Sequence, residues 1–288
     1  MSSSMVQSDN LTPKDHQRVA EFIDAAVGIQ LPSHKRSLIE SRLRKRQKVN
    51  NMATLSKYID YALADNSPET IMLIDALTTN KTYFFRESSH FDYIESFLSH
   101  NAEFKNKTLR VWSAGCSTGE EAFSLAMILE SLRRDRHISD FRIDATDISV
   151  SVLQTARSGV YTEARIESIP ESMRKLYLLK SRNSEKKLYK MCKELRQKVF
   201  FDEFNLITDT YPKSGSYDLI FCRNVMIYFN NEQRNNMIRH FNNSLTDEGV
   251  FFIGHSEGLT GNNDIFKQII PTVYRKVSNA SHRHSVDT

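Results

Sequence analysis

The sequence predicts an α/β protein, a mostly parallel sheet with helices on both faces, preceded by a small all-α domain. Three observations carry this. From Thr12 to about Thr79 apolar residues recur at helical spacing with no strand signal. After Asn80, short β-branched and aromatic runs alternate with helical stretches. Between Ser158 and Lys198 that alternation gives way to a segment rich in Lys, Arg, Tyr and Ser.

In the first region the apolar sets are Val19, Phe22, Ile23 and Val27, then Leu38, Ile39 and Leu43. Leu55, Tyr58, Ile59 and Leu63 form a third set, and Ile71, Leu73, Ile74 and Leu77 a fourth. Pro13, Ser33 and Thr54 stand where helix starts are expected. The second region offers strands at Leu109–Ser113, Phe141–Ala145, Val199–Phe201, Tyr217–Cys222 and Gly249–Ile253, with an edge strand near Val273–Val277. Helices are expected between them at 119–134, 148–157 and 231–244. The irregular segment, where Lys187–Cys192 alternates polar and apolar residues, reads as an inserted subdomain with a few antiparallel strands. The domain expectation is therefore a helical domain over 11–79 and an α/β domain over 80–278 with an insert at 158–198. The polar ends, 1–10 and 279–288, read as frayed tails.

The 288 residues suffice for one large domain and a smaller one. Lys+Arg 39 against Asp+Glu 35 gives a net charge of +4, too mild to imply nucleic acid. Cys116, Cys192 and Cys222 lack Cys-x-x-Cys spacing and read as reduced thiols. The start, with no basic and apolar leader, and the lack of a long apolar run suit a cytoplasmic protein without membrane insertion. No metal is expected, since His282 and His284 in the tail have no further ligands beside them.

The stretch Thr108–Ala122 is the most informative. Leu109, Val111 and Trp112 lead into a small-residue turn between Gly115 and Gly119, and Glu120 and Glu121 open the next helix. A strand, a glycine turn and a helix N-terminus bring backbone N–H groups close to a nucleotide-like ligand. No Gly-Lys-Ser/Thr follows, which argues against a P-loop, and two glycines do not complete a dinucleotide fingerprint. The two acids repel phosphate and favour a cationic, hydroxyl-rich ligand, a description S-adenosylmethionine fits.

The next strand ends in Asp147. An aspartate there is commonly a helix N-cap, but beside the glycine turn it reads as a ribose acceptor. Asn224, after strand Tyr217–Cys222, has two readings. It is a buried strand end with Tyr228 and Phe229 as core, or a cofactor contact with Tyr228 near a transferred methyl. Asn205 and Leu206 could line an adenine pocket, which spacing alone leaves even. In the hinge Thr78–Glu87, Thr82 and Arg86 are i, i+4 and would share one helical face; from pattern alone the segment reads as an ordinary linker.

Two further motifs need weighing. Gly254-His255-Ser256-Glu257-Gly258 matches a hydrolase nucleophile elbow, yet loop-like sequence follows where a helix is required. The helix from Ser33 to Lys48 carries Lys35, Arg36, Arg42, Arg44, Lys45, Arg46 and Lys48. One-signed charge of this density asks for an acidic partner. Nucleic acid lacks the interleaved aromatics that stack bases, and an acidic protein helix matches as well.

Together these residues resemble the chemoreceptor glutamate methyltransferases of bacterial chemotaxis, the CheR family, from about Thr12 to Val277. The resemblance rests on Leu77–Glu87, Trp112–Glu121, Ala145–Ile148, Ala156–Tyr161, Phe221–Phe229 and Gly254–Glu257. It implies a helical N-terminal domain for receptor recognition. A Rossmann-like S-adenosylmethionine-dependent methyltransferase domain with a small antiparallel β-subdomain inserted in it would follow. The family's cofactor contacts carry onto Asn80, Thr82, Arg86, Glu121, Asp147, Asn205, Leu206, Asn224 and Val225, so the hinge is no ordinary linker.

The implied reaction moves a methyl from S-adenosylmethionine to receptor glutamate carboxylates, leaving S-adenosylhomocysteine. Arg86 and Tyr228 are the expected positioning residues, with Glu120 a capping neighbour of Glu121. Arg42, Arg44 and Arg46 are the expected contacts to the receptors' cytoplasmic helical bundle, with no nucleic-acid partner and a monomeric enzyme. The family's inserted subdomain docks a tethering peptide of some receptors; here the stretch from Leu176 to Lys198 is lysine-rich and divergent. The competing classes are a non-enzymatic cofactor-sensing module that binds receptors, and a nucleic-acid methyltransferase.

Overall fold

The computed structural model describes residues 9–259, 261–262 and 264–277. The expected tails beyond these limits, His282 and His284 included, lie outside the described residues. Contacts divide the chain into two units. One holds the chain up to Thr79 together with Tyr228–Asn230; the other holds Asn80–Ile227 and the chain from Asn231 onward.

The first unit contains α1 (Pro13–Val27), α2 (Arg36–Val49), α3 (Leu55–Ala62) and α4 (Glu69–Leu77). Its helix starts follow local chemistry. The Thr12 hydroxyl accepts the N–H of Asp15 with Pro13 opening α1, and Thr54 caps α3 through the N–H of Lys57. Ser33 starts only a short 3-10 turn, and α2 follows without a side-chain cap. The helical spacing resolves into a buried set of Val19, Ile23, Ile39, Leu43, Tyr58, Ile59, Leu73 and Leu77. Asp9, expected in a frayed tail, is instead ordered: its carboxylate accepts from the Leu55 N–H at 2.8 Å and from Gln47 at 3.1 Å.

The second unit opens with α5 (Ser89–His100), followed by β1 (Thr108–Ala114), α6 (Glu120–Arg134), β2 (Asp140–Asp147) and α7 (Val150–Ser158). The insert brings β3 (Val160–Thr162), α8 (Glu171–Tyr177), β4 (Leu178–Lys180), β5 (Leu188–Met191) and α9 (Lys193–Arg196). The chain closes with β6 (Val199–Glu203), β7 (Tyr217–Cys222), α10 (Asn231–Ser244), β8 (Leu245–Ile253), β9 (Phe266–Ile270) and β10 (Val273–Lys276). The main sheet runs β6-β2-β1-β7-β8-β10-β9, and the insert forms a separate β3-β5-β4 sheet. Strands from β6 to β8 are parallel, whereas β10 and β9 run antiparallel to their neighbours.

All six residues of β7 are buried, as expected for a central parallel strand covered on both faces. Phe221 and Phe252 stack there with centroids 4.1 Å apart. The expected edge strand is not at the edge: β10 pairs with β8 on one side and β9 on the other. Helix α5, with Phe91, Ile94 and Leu98 buried, and strand β9 have no counterpart in the sequence reading.

Candidate active site

The strand order reverses at β1, with β2 and β6 on one side and β7 and β8 on the other. A ligand crevice is expected outside the C-terminal ends of the strands at such a switch point. Glu121 follows β1, Asp147 ends β2, Asn205 follows β6 and Asn224 follows β7, so four segments distant in sequence deliver them to one end of the sheet.

The turn after β1 is held from below. The N–H groups of Gly115 and Cys116 donate to the Thr146 carbonyl at 2.7 and 2.9 Å, and that of Ser117 to Asp147 Oδ2 at 2.8 Å. Gly115 has φ +83°, and a Cβ placed on it would lie 2.4 Å from Val225 Cγ2. Glycine is thus required both for conformation and for the approach of the Asn224–Val225 turn. Asp147 Oδ1 accepts the N–H of Ser149, the residue at the N-cap position of α7, so the carboxylate is oriented by two backbone groups. The Asn80 carbonyl accepts from Ser117 Oγ at 3.0 Å, which fastens the hinge to the same turn.

The two acids of α6 separate. Glu120 is fully buried and forms an ion pair with Arg165 while accepting from Thr118 Oγ1 at 2.7 Å. It stands in the first turn of α6, whose N-cap position is Gly119. Glu121 accepts from Ser113 Oγ at 2.6 Å and from Arg223 Nη1 at 3.3 Å. Burial raises its pKa, opposed by the Arg223 charge and the Ser113 hydrogen bond.

Arg223 is the hub that sequence reasoning missed. Its side chain is 2% exposed; Nη2 donates to Glu87 Oε2 at 3.0 Å and to the Arg86 carbonyl. Burial penalises the Glu87 charge, yet Arg223, the N–H of His255 and Asn224 hold its carboxyl below the usual range. The expected helical face of Thr82 and Arg86 does not form. The hinge is non-helical, and Phe85 and Glu87 both adopt φ +56°. Arg223 and Asn224 compete for its polar groups, and that tertiary demand overrides local helix preference. Arg86 Nη1 donates to the Lys81 carbonyl at 3.1 Å.

Glu257, in the segment that mimics a hydrolase elbow, is the second missed residue. No helix follows Ser256, and Glu257 Oε2 instead accepts the N–H groups of Asn224 at 2.9 Å and Gly254 at 2.6 Å. Burial raises its pKa, and these N–H groups pull it back. Asn224, at φ +59°, also donates to Glu87 Oε1 at 3.2 Å. A Cβ on Gly254 would meet Asn224 Nδ2 at 2.4 Å, so the two turns are in direct contact. Asn205 Oδ1 accepts the Ile207 N–H at 3.0 Å and the Leu206 carbonyl accepts from Tyr211, a tight turn after β6. Thr82 lines a cavity of about 470 Å³ together with Tyr83, Glu120, Ala164, Arg165, Glu167 and Ser168.

In the helical unit, the three nominated arginines have internal partners. Arg42 donates to the carbonyls of Leu77 and Thr78 at 2.8 and 2.7 Å, closing the C-terminal end of α4. Arg44 pairs with Glu40 and Asp9, and Arg46 makes a two-pronged bond to buried Glu69 at 2.7 and 2.8 Å. Tyr228 groups with this unit, its carbonyl accepting the N–H of Gln30 at 2.8 Å.

Residues 80–275 match the family model described as CheR methyltransferase, SAM binding domain, and residues 14–78 that described as CheR methyltransferase, all-alpha domain. The chain belongs to the CheR methyltransferase family. It is 38% identical over 274 residues to the chemotaxis protein methyltransferase of Borreliella burgdorferi, covering 93% of this chain and 95% of that one. It is 34% identical to the chemotaxis protein methyltransferase of Salmonella typhimurium, over 89% of this chain and 88% of the relative. S-adenosylmethionine is the cofactor of this methyltransferase. The residues fit it: Gly115 lets the turn lie directly against Val225, and the carboxylates of buried Asp147 and partly buried Glu121 suit hydroxyl and cationic groups. Among the described residues no helix is long and apolar enough to cross a membrane.

Proposed function

We propose that the protein is a cytoplasmic protein-glutamate O-methyltransferase that esterifies glutamate side chains on the helical bundle of chemotaxis receptors. The observation that supports this is the convergence of Glu121, Asp147, Asn205 and Asn224 at the C-terminal ends of one sheet, inside the segment that matches the SAM binding domain. Asp147 is oriented to accept a ribose diol, Glu121 to accept the cofactor's amino or hydroxyl donors, and Asn80, Leu206, Asn224 and Val225 to complete the cradle.

When bound, the cofactor supplies an electrophilic methyl on a sulfonium. A glutamate acceptor is already ionised at neutral pH, so the chain need not remove a proton. Its task is to hold the carboxylate in line and to exclude water as two opposite charges approach. Arg86 holds the acceptor carboxylate or orders the hinge; its bond to the Lys81 carbonyl and its backbone bond from Arg223 support the second role. Tyr228 is proposed to pack beside the methyl. The helical domain, 11–79, is proposed to recognise the receptor. There Arg42, Arg44 and Arg46 brace α2 and leave exposed Lys45 and Lys48 to meet glutamate-rich helices.

The test is transfer of radiolabelled methyl to receptor-containing membranes against DNA and RNA, with alkali lability marking an ester. Alkali-labile label in receptor bands is expected. Label in nucleic acid, or cofactor binding with no transfer, would replace the proposal by one of its rivals. Arg86→Ala should lower turnover; unchanged cofactor affinity and turnover would remove Arg86 from the mechanism.

A further inference from the structure

Glu87, His90 and His255 converge outside the residues carried over from the family. One ligand atom from each lies within 4.8 Å of the others. His90, near the start of α5, is 0% exposed, and its Nε2 is 2.7 Å from Thr272 Oγ1. The Thr272 hydroxyl donates its single proton to the Pro271 carbonyl at 2.6 Å. Thr272 therefore accepts from His90, Nε2 carries the proton, and Nδ1 presents a lone pair. That Nδ1 has no hydrogen-bond partner among the described residues, and it faces Glu87 Oε2 across 3.8 Å. His255 Nε2 lies 4.0 Å from the same oxygen, on a side chain 56% exposed.

Two acceptors turned toward each other with no proton between them repel, and a cation between them removes the repulsion. Arg223 Nη2 donates to the same Glu87 Oε2 at 3.0 Å but is not the partner of either imidazole, and because Arg223 is shared between Glu87 and Glu121, these two carboxylates outnumber it by one.

We propose that Glu87, His90 and His255 form a binding site for one divalent transition-metal ion of zinc-like softness, with a fourth position open to solvent beside His255. Two imidazoles and a carboxylate suit such an ion better than calcium or magnesium, which take oxygen ligands. Zinc bonds of about 2.0–2.2 Å put tetrahedral ligand atoms roughly 3.3 Å apart, so the site closes by a modest swing of exposed His255. The His90–Thr272 bond already supplies the outer contact that fixes a ligating imidazole.

Calorimetric titration of the full chain with Zn²⁺ alone, without cofactor, tests this. One equivalent is expected to bind at micromolar or tighter affinity, and His255→Ala should weaken it at least tenfold while leaving the melting temperature unchanged. Co²⁺ in place of zinc should show the intense visible bands of a four-coordinate ion, lost in His255→Ala and kept in His284→Ala. His90→Gln should also abolish binding; should it fail to fold, the His255 comparison decides. Absence of stoichiometric binding overturns the site, as does affinity that survives His255→Ala and falls in the tail variant.

Discussion

Two buried arginine–carboxylate groups, one in each unit, differ in how completely they are closed. In the helical unit Arg46 grips Glu69 with two parallel bonds, and Tyr58 donates a third at 3.0 Å. Burial opposes the Glu69 charge, but these donors hold its pKa below the usual value. In the methyltransferase unit Arg223 is divided between Glu87 and Glu121, its Nε has no partner among the described residues, and the Glu121 pKa is raised. A closed group builds a domain, whereas an open one leaves acceptor capacity for a ligand. The same pair of residue types thus serves architecture in one place and, on the proposed reading, binding in the other.

The comparison breaks most severely at Arg223. Arg223→Met leaves two buried carboxylates without their counter-charge and should destabilise the protein by about 3–5 kcal/mol. Thermal unfolding checks the loss, and titration with S-adenosylhomocysteine should show binding reduced beyond measurement. Glu69→Ala is expected to cost about 2–3 kcal/mol, less because Arg46 stays 19% exposed and can rehydrate. Its cofactor affinity should stay at the wild-type value, the outcome that separates the closed group from the open one.

Glu257→Gln probes the clamp on Asn224. Replacing a charged acceptor of two backbone N–H groups with a neutral amide should weaken cofactor binding by roughly tenfold, about 1.4 kcal/mol.

Acidity sharpens the contrast further. The Glu121 pKa is raised above 4.5, so on acidification it takes a proton earlier than an ordinary glutamate and loses acceptor strength. Cofactor affinity should therefore decline as pH falls toward that value, and the decline should flatten in Glu121→Gln. Glu69 has the opposite shift. Its stabilising charge is fully present above the usual pKa and is lost only as pH falls through its lowered folded value, so the helical unit should outlast cofactor binding. The smallest effect is expected at Lys45→Glu with Lys48→Glu: a few-fold loss of receptor methylation, with stability changed by less than about 0.5 kcal/mol.

Much of the fold was legible because local chemistry and burial agreed. Pro13 and Thr54 start helices as read, and the runs at Leu109–Ser113 and Tyr217–Cys222 are central strands. Strand β9 was not legible, since Phe266–Ile270 buries one end and exposes Lys267, Gln268 and Ile269, and gains its conformation from pairing with β10. The hinge misled in another way: i, i+4 spacing suggested a helix, but Phe85 and Glu87 at positive φ are set by contacts with α6 and with the Arg223 and His255 segments. The carried-over contacts could be named from motifs. Arg223 and Glu257 lie inside recognised motifs, but their roles were not legible there, because Arg223 meets Glu121 and Glu87, and Glu257 meets the Asn224 N–H, across more than 30 residues of sequence.

The sequence by itself determined the all-α start, the alternating α/β body and the glycine turn after β1, because each depends on periodicity or on neighbours a few residues apart. Only the tertiary structure decided which charges are shared. It committed Arg42, Arg44 and Arg46 to internal partners, buried Glu120 against Arg165, and set Arg223 between two acids. Pairing energies depend on distance and desolvation, and both are fixed by chain segments that meet only when the sheet has formed.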